Sequence, residues 1–243
     1  VFAPTDAAFV AANIGVDNVA EIPPTILENL LLYHMLPGAV DQEAITTGGA
    51  LFTSLNVELD TSGGNLVDSE GNVVEIVEPD VKCSNGYLHF VDGVLLPPDL
   101  MSSLQLYNSR GGSYEGVFDT FMEGLRITQM ERDFKGMNGP YTILAPTDSA
   151  FEQLRLDSTN IAECNRTALA EVLRYHVMEG RVETSSMEEA EIFGVGNGAG
   201  TLGVAGVDGT YVVDQEGREG SILVGDLGSS NGVLHVIDTV MLP

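Results

Sequence analysis

The sequence is poor in positive charge. Ten Lys and Arg residues stand against 36 Asp and Glu residues, a net charge of −26 over 243 residues. A phosphate backbone is held by clustered basic side chains, so the composition argues against nucleic acid as a partner. An anionic membrane surface is disfavoured on the same ground. So much acid makes a well-hydrated surface that resists aggregation. Divalent-ion binding, a cationic partner and a salty milieu are its sharper readings. Long hydrophobic runs are also missing: none approaches the roughly 18 residues that span a bilayer as a helix. No secretory leader is visible, and Val1 already falls inside a repeated pattern described below.

Cysteine is scarce. Cys83 and Cys164 are too few for a disulfide scaffold and lack metal-site spacing. Two buried thiols are the expectation, with a bridge between the halves of the chain left open. Catalytic signatures are missing as well. There is no nucleophile elbow, H-E-x-x-H, phosphate-binding loop, EF-hand loop or paired-cysteine motif. Neither a cofactor nor a metal is expected.

What is present is a repeat. "APTDAAF" at 3–9 returns as "APTDSAF" at 145–151. At an offset of 142, residues 1–40 align with 143–182 without a gap, with 16 identities in 40. At an offset of 146, "NGYLHFVDGVLLP" (85–97) aligns with "NGVLHVIDTVMLP" (231–243), with 8 of 13 identical. The second copy is therefore four residues longer in its middle, an insertion of the kind loops accept. It also carries residues 113–134, ahead of its "APTD" block, with apolar side chains at 117, 118, 121, 122 and 125 in helical spacing. Nothing in copy one corresponds, so 1–97 reads as a unit lacking roughly its first 40 residues. The expected division is one domain over 1–97, a linker over 98–112 and a second domain over 113–243. Pro97 and Pro98 stiffen the start of that linker, and Gly111–Gly112 mark a turn at its end.

Within each copy the texture changes once. "VFA" and "YTILA" read as short buried strands. Thr5 or Asp6, and Thr147 or Asp148, can cap the helix that follows, with Phe9 and Phe151 as its first core anchors. Thr25 and Glu28 have capping-box spacing. The run Ile26–Leu36 is apolar nearly all round, which predicts a buried helix, and Gly38 and Gly180 are expected to stop the two equivalent helices. Beyond them, alternating apolar and polar residues between Gly-, Asn- and Asp-rich turns read as strands and hairpins. Helices first and strands after make each unit α+β.

Four elements recur in order: "APTD.AF", a Tyr-His pair, "NG.LH..D" and a closing "LP". This series strongly resembles the fasciclin (FAS1) domain, twice in tandem over nearly the whole chain. The departures are the start of copy one, Thr239 in place of Gly93, and Arg174 beside Tyr175. The resemblance implies a wedge or sandwich of β-strands flanked by several α-helices. It also implies a secreted or surface-anchored protein of cell adhesion, matrix contact or cell-wall association, since that is where most members act. Some algal members carry carotenoids.

The candidate residues follow. All four histidines, His34, His89, His176 and His235, lie in the repeated motifs. His89 with Asp92, and His235 with Asp238, stand three apart on a strand and should face opposite sides. The bland expectation for each histidine is a hydrogen bond to a backbone carbonyl or a nearby Asp. Thr5 and Thr147 have nothing to recommend them as nucleophiles beyond repetition. The family resemblance makes Tyr33, His34, Tyr175 and His176 candidates for partner contact, whereas the apolar helix around them argues for burial. "NRT" at 165–167 makes Asn165 a candidate N-glycosylation site, just ahead of a helix with Thr167 as its expected cap. The leading reading is a non-catalytic extracellular module that binds a protein or glycan of the cell surface or matrix. The other is a soluble acidic carrier of an apolar small molecule such as a carotenoid.

Overall fold

A computed structural model describes residues 1–48, 51–109, 116–135, 139–187, 192–195, 200–205 and 211–243. The expected turn at Gly111–Gly112 lies outside them. The chain forms two compact units, one of Val1–Pro98 with Gly228–Ser230 and one of Asp99–Leu227 with Asn231–Pro243.

The first unit runs β1 (Phe2–Pro4), α1 (Asp6–Ala11), α2 (Pro24–Tyr33) and α3 (Gln42–Thr47). Its strand-rich half follows: β2 (Leu51–Phe52), β3 (Glu58–Ser62), β4 (Asn65–Val67), β5 (Val73–Val74), β6 (Ile76–Cys83) and β7 (Gly86–Val91). These make a three-stranded sheet, β1-β7-β6, and a four-stranded sheet, β2-β3-β4-β5. The second unit opens with α4 (Leu100–Asn108) and α5 (Asp119–Thr128). Then come β8 (Tyr141–Pro146), α6 (Asp148–Glu152), α7 (Arg166–Tyr175) and β9 (Val177–Glu179). It ends in β10 (Ile192–Val195), β11 (Gly200–Ala205), β12 (Tyr211–Val213), β13 (Glu219–Ser229) and β14 (Gly232–Ile237). Its strands close a barrel in the order β10-β11-β12-β13-β14-β8-β9. Both units are mixed α+β, as the order of helical and strand patterns predicts. The pairing of first with last strand is shared: β1 runs parallel to β7 with Phe2 opposite His89, and β8 runs parallel to β14 with Leu144 opposite His235.

Local chemistry explains the helix starts and corrects three expectations. Thr5 and Thr147 are the N-caps of α1 and α6, each accepting from the amide three residues on. The capping box at Thr25 and Glu28 does not form. Helix α2 begins earlier, at Pro24, with Pro23 in the cap position and no side-chain cap bond. Proline suits the first helical position because it has no N–H to satisfy and its φ is already helical. Gly38 and Gly180 do not end the helices either. Helices α2 and α7 stop at Tyr33 and Tyr175, with His34 and His176 as C-caps. The glycines take φ of +100° and +90° in later turns, where a side chain would be strained. Residues 98–112, read above as a linker, contain α4. Asp99 caps it by accepting from the Ser102 amide, and Leu100, Met101, Leu104 and Tyr107 are buried in the second unit's core.

Each unit has a strand-side core built on equivalent residues. Phe2, Tyr33, Val91 and Leu95 lie in one, and Leu144, Tyr175, Ile237 and Met241 in the other. The helix-side cores differ. In the second unit Phe118, Phe121 and Leu125 cover Phe151, Leu169, Leu173 and Leu234. Helix α5 approaches closely at Gly124, where a Cβ would lie 3.2 Å from Leu173 and 3.3 Å from Ile161. Among the described residues of 1–98 no helix takes the place of α5. The first unit's residues at these positions, Phe9, Leu27 and Leu88, are only half-buried, and Leu31 is 48% exposed where Leu173 is 0% exposed. Removing a buried leucine side chain loses transfer energy and leaves a cavity. Leu173→Ala is therefore expected to cost about 2–5 kcal/mol in urea denaturation of the whole chain, and Leu31→Ala within about 1 kcal/mol. Equal costs would show that the two helix-side faces are covered alike.

Candidate functional site

The Tyr-His pairs end their helices with a side chain as well as a backbone. The last carbonyls of a helix have no partner within it. His34 Nδ1 donates to one of them, Leu30 O, at 2.7 Å, and His176 Nδ1 donates to Val172 O at 2.7 Å. A carbonyl can only accept, so Nδ1 carries the proton and Nε2 is left with a lone pair. Into that lone pair points a backbone amide from the last residues of the unit. Leu95 N donates to His34 Nε2 at 3.0 Å, and Met241 N donates to His176 Nε2 at 3.0 Å. The same two residues also hold the first strand: Phe2 N donates to His34 O and Leu144 N to His176 O, each at 2.9 Å.

The tyrosines point the other way. Tyr175 Oη donates to Thr201 O at 2.6 Å and accepts from Gln215 N at 3.2 Å. Tyr33 Oη donates to Glu58 O at 3.4 Å. All four residues proposed above for partner contact are buried: Tyr33 0%, His34 3%, Tyr175 0% and His176 0% exposed. In the folded units their side chains meet main chain and core, out of reach of a partner's surface. Burial pushes the His34 imidazole below the usual histidine range, and pushes His176 down to about 4.

The strand histidines mirror this arrangement with the opposite tautomer. His89 Nε2 donates to Val40 O at 2.9 Å and Nδ1 accepts from Asp80 N at 3.3 Å. His235 Nε2 donates to Val182 O at 2.8 Å and Nδ1 accepts from Asp226 N at 3.1 Å. Burial holds the His235 imidazole below its ordinary range. Asp92 and Asp238 do not join them. They accept instead from the Glu75 and Ser221 amides, at 2.7 and 2.8 Å. The carboxylates nearest the rings belong to Asp80 and Asp226, at 4.0 and 3.9 Å. Sequence reasoning missed these two. Their signal is an aspartate at the same place in both copies, held at φ of 59° and 61°, a conformation that Asp tolerates better than most residues.

A second pair of aspartates also went unrecognised. Asp68 accepts from the Asn72 and Leu96 amides, and Asp214 from the Arg218 and Leu242 amides. Burial alone would raise the Asp214 carboxyl. Hydrogen bonds from Arg218 and the backbone outweigh it and hold the group below the ordinary aspartate range. Each closing segment, 92–97 or 238–243, is thus held by two successive amides, one on a histidine and the next on an aspartate.

The remaining sequence candidates are surface features. Asn165 is exposed, and it rather than Thr167 is the N-cap of α7. Its Oδ1 accepts from the Thr167 and Ala168 amides at 3.0 and 3.2 Å. The amide-bearing residue wins because its carbonyl reaches both orphan N–H groups from the cap position. Cys83 is exposed and Cys164 half-buried, both as free thiols, which corrects the expectation of two buried ones. Cys83 lies at the solvent-facing end of β6, just before the β6–β7 turn. Among the described residues no group of three His, Cys, Asp or Glu side chains could hold a metal ion, and no helix is long and apolar enough to cross a membrane.

Residues 1–97 and 116–243 match the fasciclin domain family. The transforming growth factor-beta-induced protein ig-h3 of Sus scrofa is 24% identical over 258 residues, covering 100% of this chain and 34% of that protein. A fasciclin-like arabinogalactan protein of Arthroderma benhamiae is 26% identical over 97% of this chain and 55% of its own length. Protein sll1483 of Synechocystis is 34% identical over 52% of this chain and 68% of its own length. The chain therefore spans about a third to two thirds of these relatives. Among solved structures, a FAS1 domain pair from the insect cell adhesion molecule Fasciclin I superposes with a TM-score of 0.51 at 15% identity, covering 100% of this chain and 88% of that one.

Proposed function

Because the chain belongs to the fasciclin domain family, we propose that it is a non-catalytic extracellular module that binds a protein or glycan of a cell surface or matrix. One observation carries this reading. The Tyr-His pairs and strand histidines shared by the two units are turned inward and spent on main chain, while several exposed positions differ in chemistry between them. Both ring nitrogens of every histidine are engaged with backbone groups, which leaves no imidazole free to act as a general base. The exposed side chains that can tell one unit's partner from the other's are those the copies do not share. Arg166 and Arg174 are exposed in the second unit, where the first has Pro24 and Leu32. A partner read by one unit is then not read equally by the other. The Tyr-His pairs serve binding indirectly, by holding the helix ends and strands that carry the surface.

Two experiments test the reading. The first is adhesion of cells or matrix components to the immobilised whole chain. Charge reversal at Arg166 and Arg174 together, against reversal at the first unit's exposed Glu28, is expected to alter adhesion severalfold in one case and little in the other. Adhesion should also weaken between about 0.1 M and about 1 M salt, as the screening length falls from ~10 Å to ~3 Å. Adhesion indifferent to both reversals and to salt would contradict recognition by unshared, charged surface. The second concerns localisation. Asn165 uses only Oδ1 in its cap, so Nδ2 can bear a glycan without loss of those bonds. Chain secreted from a glycosylating eukaryotic host should carry a glycan at Asn165, seen by peptide mapping after glycosidase treatment; an unmodified Asn165 removes this support.

A further inference from the structure

We propose that His34 and His176 are acid-released latches: a proton taken up at Nε2 breaks the bond from Leu95 or Met241 and loosens the closing segment of that unit. Nδ1 already carries a proton, given to the helix carbonyl, so Nε2 is the atom that accepts a second one. Once protonated it is a donor facing a donor, and the amide of Leu95 or Met241 loses its partner.

The surroundings decide what happens next. Among the described residues no carboxylate comes within 4.0 Å of either ring, whereas His89 and His235 each have one within that distance. Around His176, α7 offers Tyr175, whose hydroxyl is spent on Thr201 and Gln215, and the exposed Arg174. Helix α5 sets the Phe121 ring against the imidazole, with centroids 6.4 Å apart. Its Glu123 is paired with Arg126, and its Asp119 accepts from Asn108. Strand β8 contributes Leu144 and, at its far end, Tyr141. In the closing segment Asp238 is engaged by the Ser221 amide, and Asp214 with Arg218 lies one residue beyond, on Leu242. Around His34 the corresponding groups are Tyr33 and the exposed Glu28 on α2, and Asp92 on the Glu75 amide. Asp68 holds the Leu96 amide, and the Val1 amino terminus, beside β1, donates to Tyr87 O. None of these takes the new N–H. At the strand histidines, by contrast, the Asp80 or Asp226 carboxylate lies beside Nδ1 as an ion-pair partner for a new proton, which at His235 offsets part of what burial costs.

The units should not open together. Arg218 binds Asp214 through Nε at 2.6 Å and also donates to Leu242 O at 3.3 Å, bracing the second closing segment. The first unit has Asn72 at that position, giving Asp68 a neutral donor at 3.0 Å. The first latch is the weaker. The sign follows from the burial that lowers both imidazoles. The closed state binds fewer protons than the open one, so opening grows as pH falls below about 6.5, where a free imidazole titrates. For His176 the gain ends near its closed-state value of about 4.

Hydrogen exchange of the whole chain, from neutral pH to about pH 5 and corrected for intrinsic exchange, reads the latches directly. Protection at the Leu95 and Met241 amides is expected to fall with pH, by up to about tenfold per unit, from a lower starting level at Leu95. The Asp80 and Asp226 amides, with a carboxylate beside the ring, should change less. His34→Gln keeps an acceptor near the Nε2 position but takes up no proton, so it should flatten the response at Leu95 and leave Met241 unchanged. Should that variant fail to fold, the contrast among the four wild-type amides decides. Protection that is independent of pH at Leu95 and Met241, or lost equally at all four amides, overturns the proposal.

Discussion

A neutral imidazole with one donor and one acceptor nitrogen is the piece on which each unit depends. It can take a hydrogen bond from a backbone amide and give one to a carbonyl, joining two chain segments without bringing charge into the core. His34 and His176 use this to bind the end of a helix to the closing segment. His89 and His235 use it to bind the segment after that helix to the opposing strand. An unpaired buried amide costs about 1–3 kcal/mol, so losing any one ring leaves two main-chain groups to be satisfied elsewhere. Repetition of the four histidines is explained by this geometry, without a reaction.

The repeat was legible because buried, directional contacts tolerate few residue types. A helix cap at Thr5 or Asp6 and at Thr147 or Asp148, the short strand before it and the helix-then-strand order could all be read from "APTD.AF", the Tyr-His pair and "NG.LH..D"; the structure decides for the threonines. What escaped has identifiable causes. Helix α4 was hidden behind two prolines, although Asp99 and the spacing of Leu100, Leu104 and Tyr107 encode it. Asp80 and Asp226 escaped because their histidines lie nine residues away across a hairpin, and sequence spacing along one strand pointed to Asp92 and Asp238 instead. The cap of α7 lies two residues ahead of the expected Thr167 because the Asn165 carbonyl reaches both the Thr167 and Ala168 amides, a choice that residue type alone does not decide. Burial of the Tyr-His pairs followed from the apolar helix around them, whereas partner contact came only from resemblance.

The two units share one strand-side core. Phe2, Tyr33 and Leu95 repeat the roles of Leu144, Tyr175 and Met241. On the helix side, α5 buries Leu173 completely, while Leu31 at the equivalent position stays half exposed. The net charge of −26 makes charged contacts of this surface sensitive to ionic strength.

The central claim is that four neutral imidazoles, in two defined tautomers, hold the structure together. Ring-nitrogen chemical shifts of the isotope-labelled chain at neutral pH test it most directly. Protonated and lone-pair nitrogens resonate far apart, so each ring reports its own state. The account predicts a proton on Nδ1 for His34 and His176, and on Nε2 for His89 and His235, each with a hydrogen-bond coupling to the amide named above. Rapidly averaging tautomers, or rings doubly protonated at neutral pH, would contradict it.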